Sequence, residues 1–359
     1  MLMKNRVEKV VQKMKQLEIS QMLITDPLSI YYLTGKYIDP GERFYALYLR
    51  ADGNNLYFVN RLFTVEEDLG VEKVWYSDTD HVMDLVASRM DTKSVLGVDK
   101  DLPSRFLLPL IEKKAGSGFQ NASVTVDETR GCKDSEEQLK MKVVSKINDL
   151  AMAEFKKLIQ PGATELGMAL KMLDIYRNLG AEDYSFEPLV AFGPNCAEGH
   201  HSPDHTVLKE GDSVLIDVGC KKDNYCSDMT RTFFYGTCSE EHRKVYETVK
   251  NANQMAIAGI RPGMKLKDID AIARNIISDA GYGPFFTHRL GHFIGLNVHE
   301  FGDVSAANEK EAEAGMIFSI EPGIYLPGDV GVRIEDLVVV TENGCERLNF
   351  YNKELEIVK

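Results

Sequence analysis

The stretch that most constrains this chain is SVLIDVGCKKDNYCSDMTRTFFY, residues 213 to 235. Its apolar runs and its central KKDN turn read as a β-hairpin with buried strands. Yet Asp217 ends the first strand, and Asp228 follows eleven positions on (228 − 217 = 11). A carboxylate in such a setting costs several kcal/mol unless something positive meets it. A second stretch, MIFSIEPGIYLPGDVGVRIEDLVVV from residue 316, repeats the arrangement with Glu321 and Glu335 about an LPGDVG turn. Two such hairpins facing one cleft would bring four carboxylates together.

The partner of these acids has to be a cation. His292, in RLGHFIGLNVHE, adds an imidazole, and no cysteine joins the set. Oxygen and imidazole donors suit Mn²⁺, Co²⁺, Zn²⁺ or Fe²⁺. Four carboxylates carry a formal −4, which balances two divalent ions and leaves one ion short. Taken singly, each residue has a plainer use. Asp217 before a turn suits a structural cap, Glu321 and Glu335 suit solvated strand ends, and His292 suits a hydrogen-bonded core position. The apolar company in LID, FSIEPG and VRIED favours the joint reading.

The 359 residues suggest two domains. Hydrophobic residues at 44% and charged residues at 27% describe a globular chain. A net charge of −13 opposes phosphate backbones and anionic membranes, so neither nucleic acid nor membrane is an expected partner. The charged opening MLMKNRVEKVVQKMKQL does not read as a signal peptide, and no run approaches the length of a membrane span. The six cysteines form no CxxC pair, which fits reduced thiols and a cytoplasmic protein.

QMLITDP, YALYLR, NLYFVN, EKVWYS and SVLGVDK read as strands, and RVEKVVQKMKQL, HVMDLVASRM and RFLLPLIEKK as helices. They make a small α/β domain over residues 1–128 with no metal spacing of its own. TRGCKDSEEQLKMKV marks the boundary and leads into a long helix ending near LIQPG. Residues 129–359 alternate helical runs (164–180, 242–260 and 266–281) with the two hairpins.

The ordered set LIDVG, SDMTRT, GHFIGLNVHE, SIEPGIY and VRIED resembles the metallopeptidase family that holds methionine aminopeptidase, aminopeptidase P and prolidase. DPLSIYYLTGKYIDPGERF resembles the accessory domain of prolidase, aminopeptidase P and creatinase; methionine aminopeptidase lacks it. The resemblance implies a creatinase-like accessory domain before an α+β pita-bread catalytic domain, and two divalent metal ions, Mn²⁺ first among them. By position, Asp217 would chelate the first ion and His292 and Glu321 the second, with Asp228 and Glu335 bridging both. It further implies a metal-activated water or hydroxide attacking a peptide bond, with Glu321 accepting its proton. His200 and His299 would be active-site histidines, although Gly199 stands where the family has a proline and His201 is adjacent.

The implied activity is hydrolysis of Xaa-Pro dipeptides by a homodimer. The alternatives are an Xaa-Pro aminopeptidase acting on longer peptides, a metal-free creatinase-like hydrolase, and a non-catalytic binding module keeping the fold. A dipeptidase must hold a free carboxylate, for which Arg289 and Arg333 are the available receptors. The segment EFGDVSAANEKEAEAGMIFSI lacks the arginine that some prolidases place there. The Asp39–Arg43 loop is expected to fold over the active site and limit substrate length.

Overall fold

A computed structural model describes residues 2–359. The chain forms two compact units, the first ending at Arg130 and the second running from Gly131 to Lys359. The junction falls two residues past the expected 128/129 boundary, at the end of a helix.

The first unit contains α1 (Lys4–Gln16), β1 (Gln21–Ile24), α2 (Pro27–Thr34), β2 (Ala46–Arg50), β3 (Leu56–Asn60), β4 (Glu72–Tyr76), α3 (Val82–Ala87), β5 (Leu96–Val98), α4 (Ser104–Glu112), β6 (Phe119–Asn121) and α5 (Val124–Gly131). Its strands form one mixed sheet in the order β4-β3-β2-β1-β5-β6. Helix α2 was not expected, because its eight residues are buried on most sides and show no polar stripe. Local chemistry still specifies it. Asp26 caps the N–H groups of Leu28 and Ser29, Pro27 opens the first turn, and Gly35 ends it at φ 72°. In the Asp39–Arg43 loop, Arg43 is fastened within the unit by two 2.9 Å bonds to Asp78.

The second unit opens with α6 (Ser135–Lys156) and α7 (Glu165–Asn178), then β7 (Asp183–Tyr184), β8 (Leu189–Phe192), β9 (Ser213–Val218), β10 (Cys220–Lys222), β11 (Tyr225–Cys226) and β12 (Met229–Tyr235). Helices α8 (Glu240–Gly259) and α9 (Leu266–Asp279) follow. The remaining strands are β13 (Gly291–Phe293), β14 (Glu300–Val304), β15 (Ile317–Ile320), β16 (Gly323–Leu326), β17 (Val330–Arg333), β18 (Asp336–Thr341), β19 (Gly344–Arg347) and β20 (Ile357–Val358). Helix α6 starts inside the TRGCKDSEEQLKMKV stretch, with a capping box between Asp134 and Glu137. Helices α8 and α9 turn Val245, Val249, Ala252, Ile269, Ala273 and Ile277 into one core with Phe318, Ile320, Val338 and Val340. Burying each large aliphatic or aromatic side chain there contributes roughly 1.5–3 kcal/mol, which fixes the strands that carry the acids.

Both acid-bearing hairpins form. Strand β9 pairs antiparallel with β12, placing Thr230 opposite Asp217. The turn between β10 and β11 puts Asp223 and Asn224 at φ 51° and 65°, the left-handed pair that a two-residue hairpin turn demands. In the second hairpin, β15 pairs with β18 up to Ile320↔Asp336, and β16 pairs with β17 from Gly323↔Arg333. The registers are continuous, so this is one long hairpin interrupted where Glu321 and Glu335 sit.

Gly219, directly after β9, allows the first hairpin to close against its neighbours. A Cβ there would lie 2.0 Å from both Ser185 Oγ and Ser227 O. Gly219→Ala should therefore lose at least about 2 kcal/mol of stability in urea denaturation. A variant as stable as the parent would contradict this packing.

Candidate metal centre

Within the second unit, the two hairpins and the β13 region enclose a cleft of about 760 Å³. Asp217, Asp228, His292, His299, Glu321 and Glu335 all line it, together with His200, Arg289 and Arg333. Asp217 projects from the end of β9, and Asp228 immediately precedes β12. Glu321 and Glu335 face each other across the interruption in the second hairpin. His292 lies in the middle of β13.

Ligand atoms of Asp228, His292 and Glu335 all lie within 4.8 Å of one another. His292 Nε2 stands 3.4 Å from Asp228 Oδ2, 3.5 Å from Glu321 Oε1 and 4.0 Å from Glu335 Oε1. Its other ring nitrogen faces the Phe293 carbonyl at 3.2 Å. That bond suits an Nδ1–H donor and leaves Nε2 as the lone-pair side turned to the acids.

Three carboxylate oxygens in this cleft, Asp217 Oδ1, Asp228 Oδ1 and Glu335 Oε1, are buried without a hydrogen-bond partner among the described residues. Such orphans are costly unless something else satisfies them. Burial pushes the pKa of Asp228 well up, and the charges of Asp217 and Glu321 add to the rise. Glu335 is raised in the same way, by burial first and then by Asp228. Bare, these acids resist ionising together; divalent cations among them would remove the penalty. The donor set therefore fits divalent metal ions: hard oxygens with one imidazole, converging in a buried cleft.

The bonds that hold these ligands were mostly beyond sequence reading. Thr230 Oγ1 donates to Glu335 Oε2 at 2.7 Å. Ser319 was not anticipated. Its hydroxyl accepts the His292 backbone N–H at 2.9 Å and donates to Glu321 Oε1 at 3.0 Å, tying two candidate ligands together. Its place two residues before Glu321 was the available signal.

Arg333 had been read as a receptor for substrate carboxylate, but its guanidinium is buried and engaged by the protein. Nη2 donates to Asp217 Oδ2 at 2.6 Å, Nη1 to the Tyr325 oxygen at 2.9 Å, and Nε to Thr230 Oγ1 at 3.1 Å. Its charge also reduces the −4 of the four acids to −3, which still exceeds one divalent ion. Arg289, exposed on the cleft wall, is the arginine left facing solvent.

Tyr325 and His288 are further cleft residues that sequence reading left without a role. The Tyr325 hydroxyl meets His288 Nε2 at 2.9 Å, and His288 Nδ1 meets the Arg289 carbonyl at 2.7 Å. Burial lowers the His288 pKa, in keeping with a neutral ring in this relay. His299 packs edge-on against His292 with centroids 4.3 Å apart. Desolvation, then the neighbouring His292 and Arg289, depress its pKa to about 4. It is a neutral ring near pH 7.

The two adjacent histidines separate cleanly. Both line the cleft, but His200 is exposed, whereas His201 Nε2 is bound to Glu165 Oε2 at 2.7 Å. Glu165 is fully buried and also accepts from the Phe192 and Asp204 N–H groups and from Asn195. The cluster of Glu165, His201 and Asp204 is thus a closed hydrogen-bonded hub that fastens the loop carrying His200.

An α/β unit followed by an α+β unit whose facing hairpins converge on acids and a histidine defines a metal-dependent hydrolase of the pita-bread type. Comparison with known proteins makes the assignment specific. The chain belongs to Metallopeptidase family M24, which matches residues 139–342, and residues 6–132 match the Creatinase/Prolidase N-terminal domain. An uncharacterized peptidase of Staphylococcus saprophyticus is 37% identical over 97% of this chain and 100% of its own. The crystal structure of a prolidase from Thermococcus sibiricus superposes with a TM-score of 0.93 at 35% identity, covering 100% of both chains. An Xaa-Pro dipeptidase from Bacillus anthracis gives 0.92 at 28% identity over 99% of both chains.

The His201–Glu165 contact has a pH signature. Burial disfavours the charged ring, but the hydrogen bond and charge of Glu165, helped by Glu198 and Asp204, outweigh it and raise the pKa above 6.5. A raised folded value means stability that is present below the ordinary histidine pKa and lost as pH rises through the folded one. Urea denaturation of the wild type and His201→Asn should therefore differ most on the acid side of 6.5, with the gap narrowing at higher pH. A gap that widens toward alkaline pH would contradict the ion pair.

Proposed function

We propose that this enzyme hydrolyses Xaa-Pro dipeptides and that two divalent metal ions, Mn²⁺ by preference, occupy the cleft. The observation that carries the reading is the convergence of buried, partnerless carboxylate oxygens beside His292. In this reading Asp217, Asp228, His292, Glu321 and Glu335 would hold the ions. Bound there, the ions supply Lewis acidity to the scissile carbonyl and lower the pKa of the attacking water.

The chain's own residues do the rest. Glu321 is only partly buried, and its Oε1 is aimed by Ser319; it takes the proton released by water and passes it to the departing proline nitrogen. Neutral His299 offers a ring N–H to the oxyanion as it forms, and His200 contacts the peptide from the cleft rim. Arg333 orients Asp217 instead of touching substrate. Arg289 then becomes the receptor for the dipeptide carboxylate, in place of the arginine absent from residues 300–320. A cytoplasmic homodimer completes the reading.

The test uses EDTA-stripped protein reloaded with Mn²⁺, Co²⁺ or Zn²⁺ and offered Leu-Pro and Leu-Pro-Pro. Cleavage of Leu-Pro is expected; cleavage of the tripeptide alone would make the enzyme an Xaa-Pro aminopeptidase, and no cleavage with any ion would favour a binding module. Arg289→Met should raise KM for Leu-Pro by about tenfold to a hundredfold with kcat nearly unchanged, because one charge-assisted bond contributes about 1.5–3 kcal/mol. An unchanged KM would remove Arg289 from substrate recognition.

A further inference from the structure

Behind Glu321 and Glu335 lies a buried polar network that neither the family assignment nor the proposed reaction uses. The second hairpin loses its strand pairing at residues 321–322 and 334–335. The carbonyls just before the two glutamates, those of Ile320 and Ile334, are met by one side chain from α8. Asn253 Nδ2 donates to Ile320 O at 2.8 Å and to Ile334 O at 3.2 Å. Beside the Ile334 N–H bond to the Pro322 carbonyl at 3.4 Å, this one amide thus ties together the two chain segments that carry the acids.

Asn253 is itself held. Its Oδ1 accepts from Lys353 Nζ at 2.7 Å, and the same ammonium donates to Asp336 Oδ2 at 2.6 Å. Asp336 Oδ1 accepts from Arg231 Nη2 at 2.7 Å, and Arg231 Nη1 donates to the Glu335 carbonyl at 2.5 Å. Asn253 and Asp336 are fully buried, Arg231 almost so, and Lys353 nearly. Ammonium and guanidinium are satisfied here only by this set of acceptors and nearby carbonyls, so the geometry is tightly determined. Lys353 arrives on the C-terminal segment, which Asp149 pins by accepting the N–H groups of Phe350 and Tyr351 at 2.7 and 3.0 Å.

We infer that Lys353 and Asn253 are positioning residues for the metal centre: a clamp that fixes the backbone on either side of Glu321 and Glu335 so that both carboxylates reach the same ions. This rests on the metal-centre reading above. It locates part of the metal affinity in two residues that touch neither ion nor substrate. Supports of this kind typically contribute ten- to hundredfold in metal affinity.

The test is calorimetric titration of Mn²⁺ into EDTA-stripped wild type, Lys353→Met and Asn253→Asp, well below their melting temperatures, with kcat measured at saturating Mn²⁺. Lys353→Met removes the charge at similar length. Asn253→Asp keeps the acceptor for Lys353 but loses the N–H groups toward Ile320 and Ile334, and it decides the matter if Lys353→Met does not fold. Lys250→Met serves as a control, since Lys250 pairs with Glu354 on the same segment without entering the network. The expected result is at least about tenfold weaker Mn²⁺ binding in both variants, recovery of kcat at saturating Mn²⁺, and no change in the control. Variant isotherms superimposing on a wild type that does bind Mn²⁺ would overturn the clamp alone, whatever happened to the melting temperatures. A wild type that takes up no metal would overturn the metal-centre reading and the clamp with it.

Discussion

Mutual repulsion among four carboxylates in a sheltered cleft is the constraint around which the second unit is arranged. Two unit charges 4 Å apart interact by about 4 kcal/mol at the effective dielectric of a protein near its surface. The cleft holds several such pairs, and Arg333 answers only one acid directly. The strain is visible in the raised pKa values of Asp228 and Glu335, with burial as the larger cause. A fold that gathered these acids for stability alone would have replaced them, since apolar residues of similar volume pack as well or better. Their convergence therefore points to cations, and membership of family M24 agrees with that physics.

The architecture supplies the counter-force. Asp228 sits just before β12, and Glu321 and Glu335 sit in the interruption of the second hairpin, where the backbone is free of the ladder yet anchored by it nearby; Asp217 stays paired with Thr230 near the end of β9. Apolar packing from α8 and α9 holds the strands, and a few polar side chains set the last fraction of an ångström: Thr230 on Glu335, Ser319 on His292 and Glu321, Arg333 on Asp217. This two-level arrangement, core for placement and hydrogen bonds for aim, is what a site needs when its ligands come from distant points of the chain.

The acids were legible in the sequence because a carboxylate inside LID or VRIED breaks an otherwise buried pattern, and the hairpin turns announced themselves through KKDN and LPGDVG. The helices with a clear apolar stripe were legible for the same periodic reason. What stayed hidden were partners chosen by tertiary placement. Asn253 sits in α8 among polar residues that read as a solvated face, and Lys353 sits in a charged C-terminal run. Ser319, His288 and Tyr325 carry no local anomaly. Helix α2 escaped because a short helix buried on most sides has no periodicity to display. Arg333 shows the opposite failure: its residue type suggested a substrate contact, while its position two residues before Glu335 commits it to Asp217.

The central claim is that five side chains from separate strands share a pair of ions. It is tested most directly by crystals grown with Mn²⁺ and measured at the manganese absorption edge. The account predicts two anomalous peaks roughly 3.5–4 Å apart, contacted by Asp217, Asp228, His292, Glu321 and Glu335. A single peak, or peaks away from those residues, would contradict it.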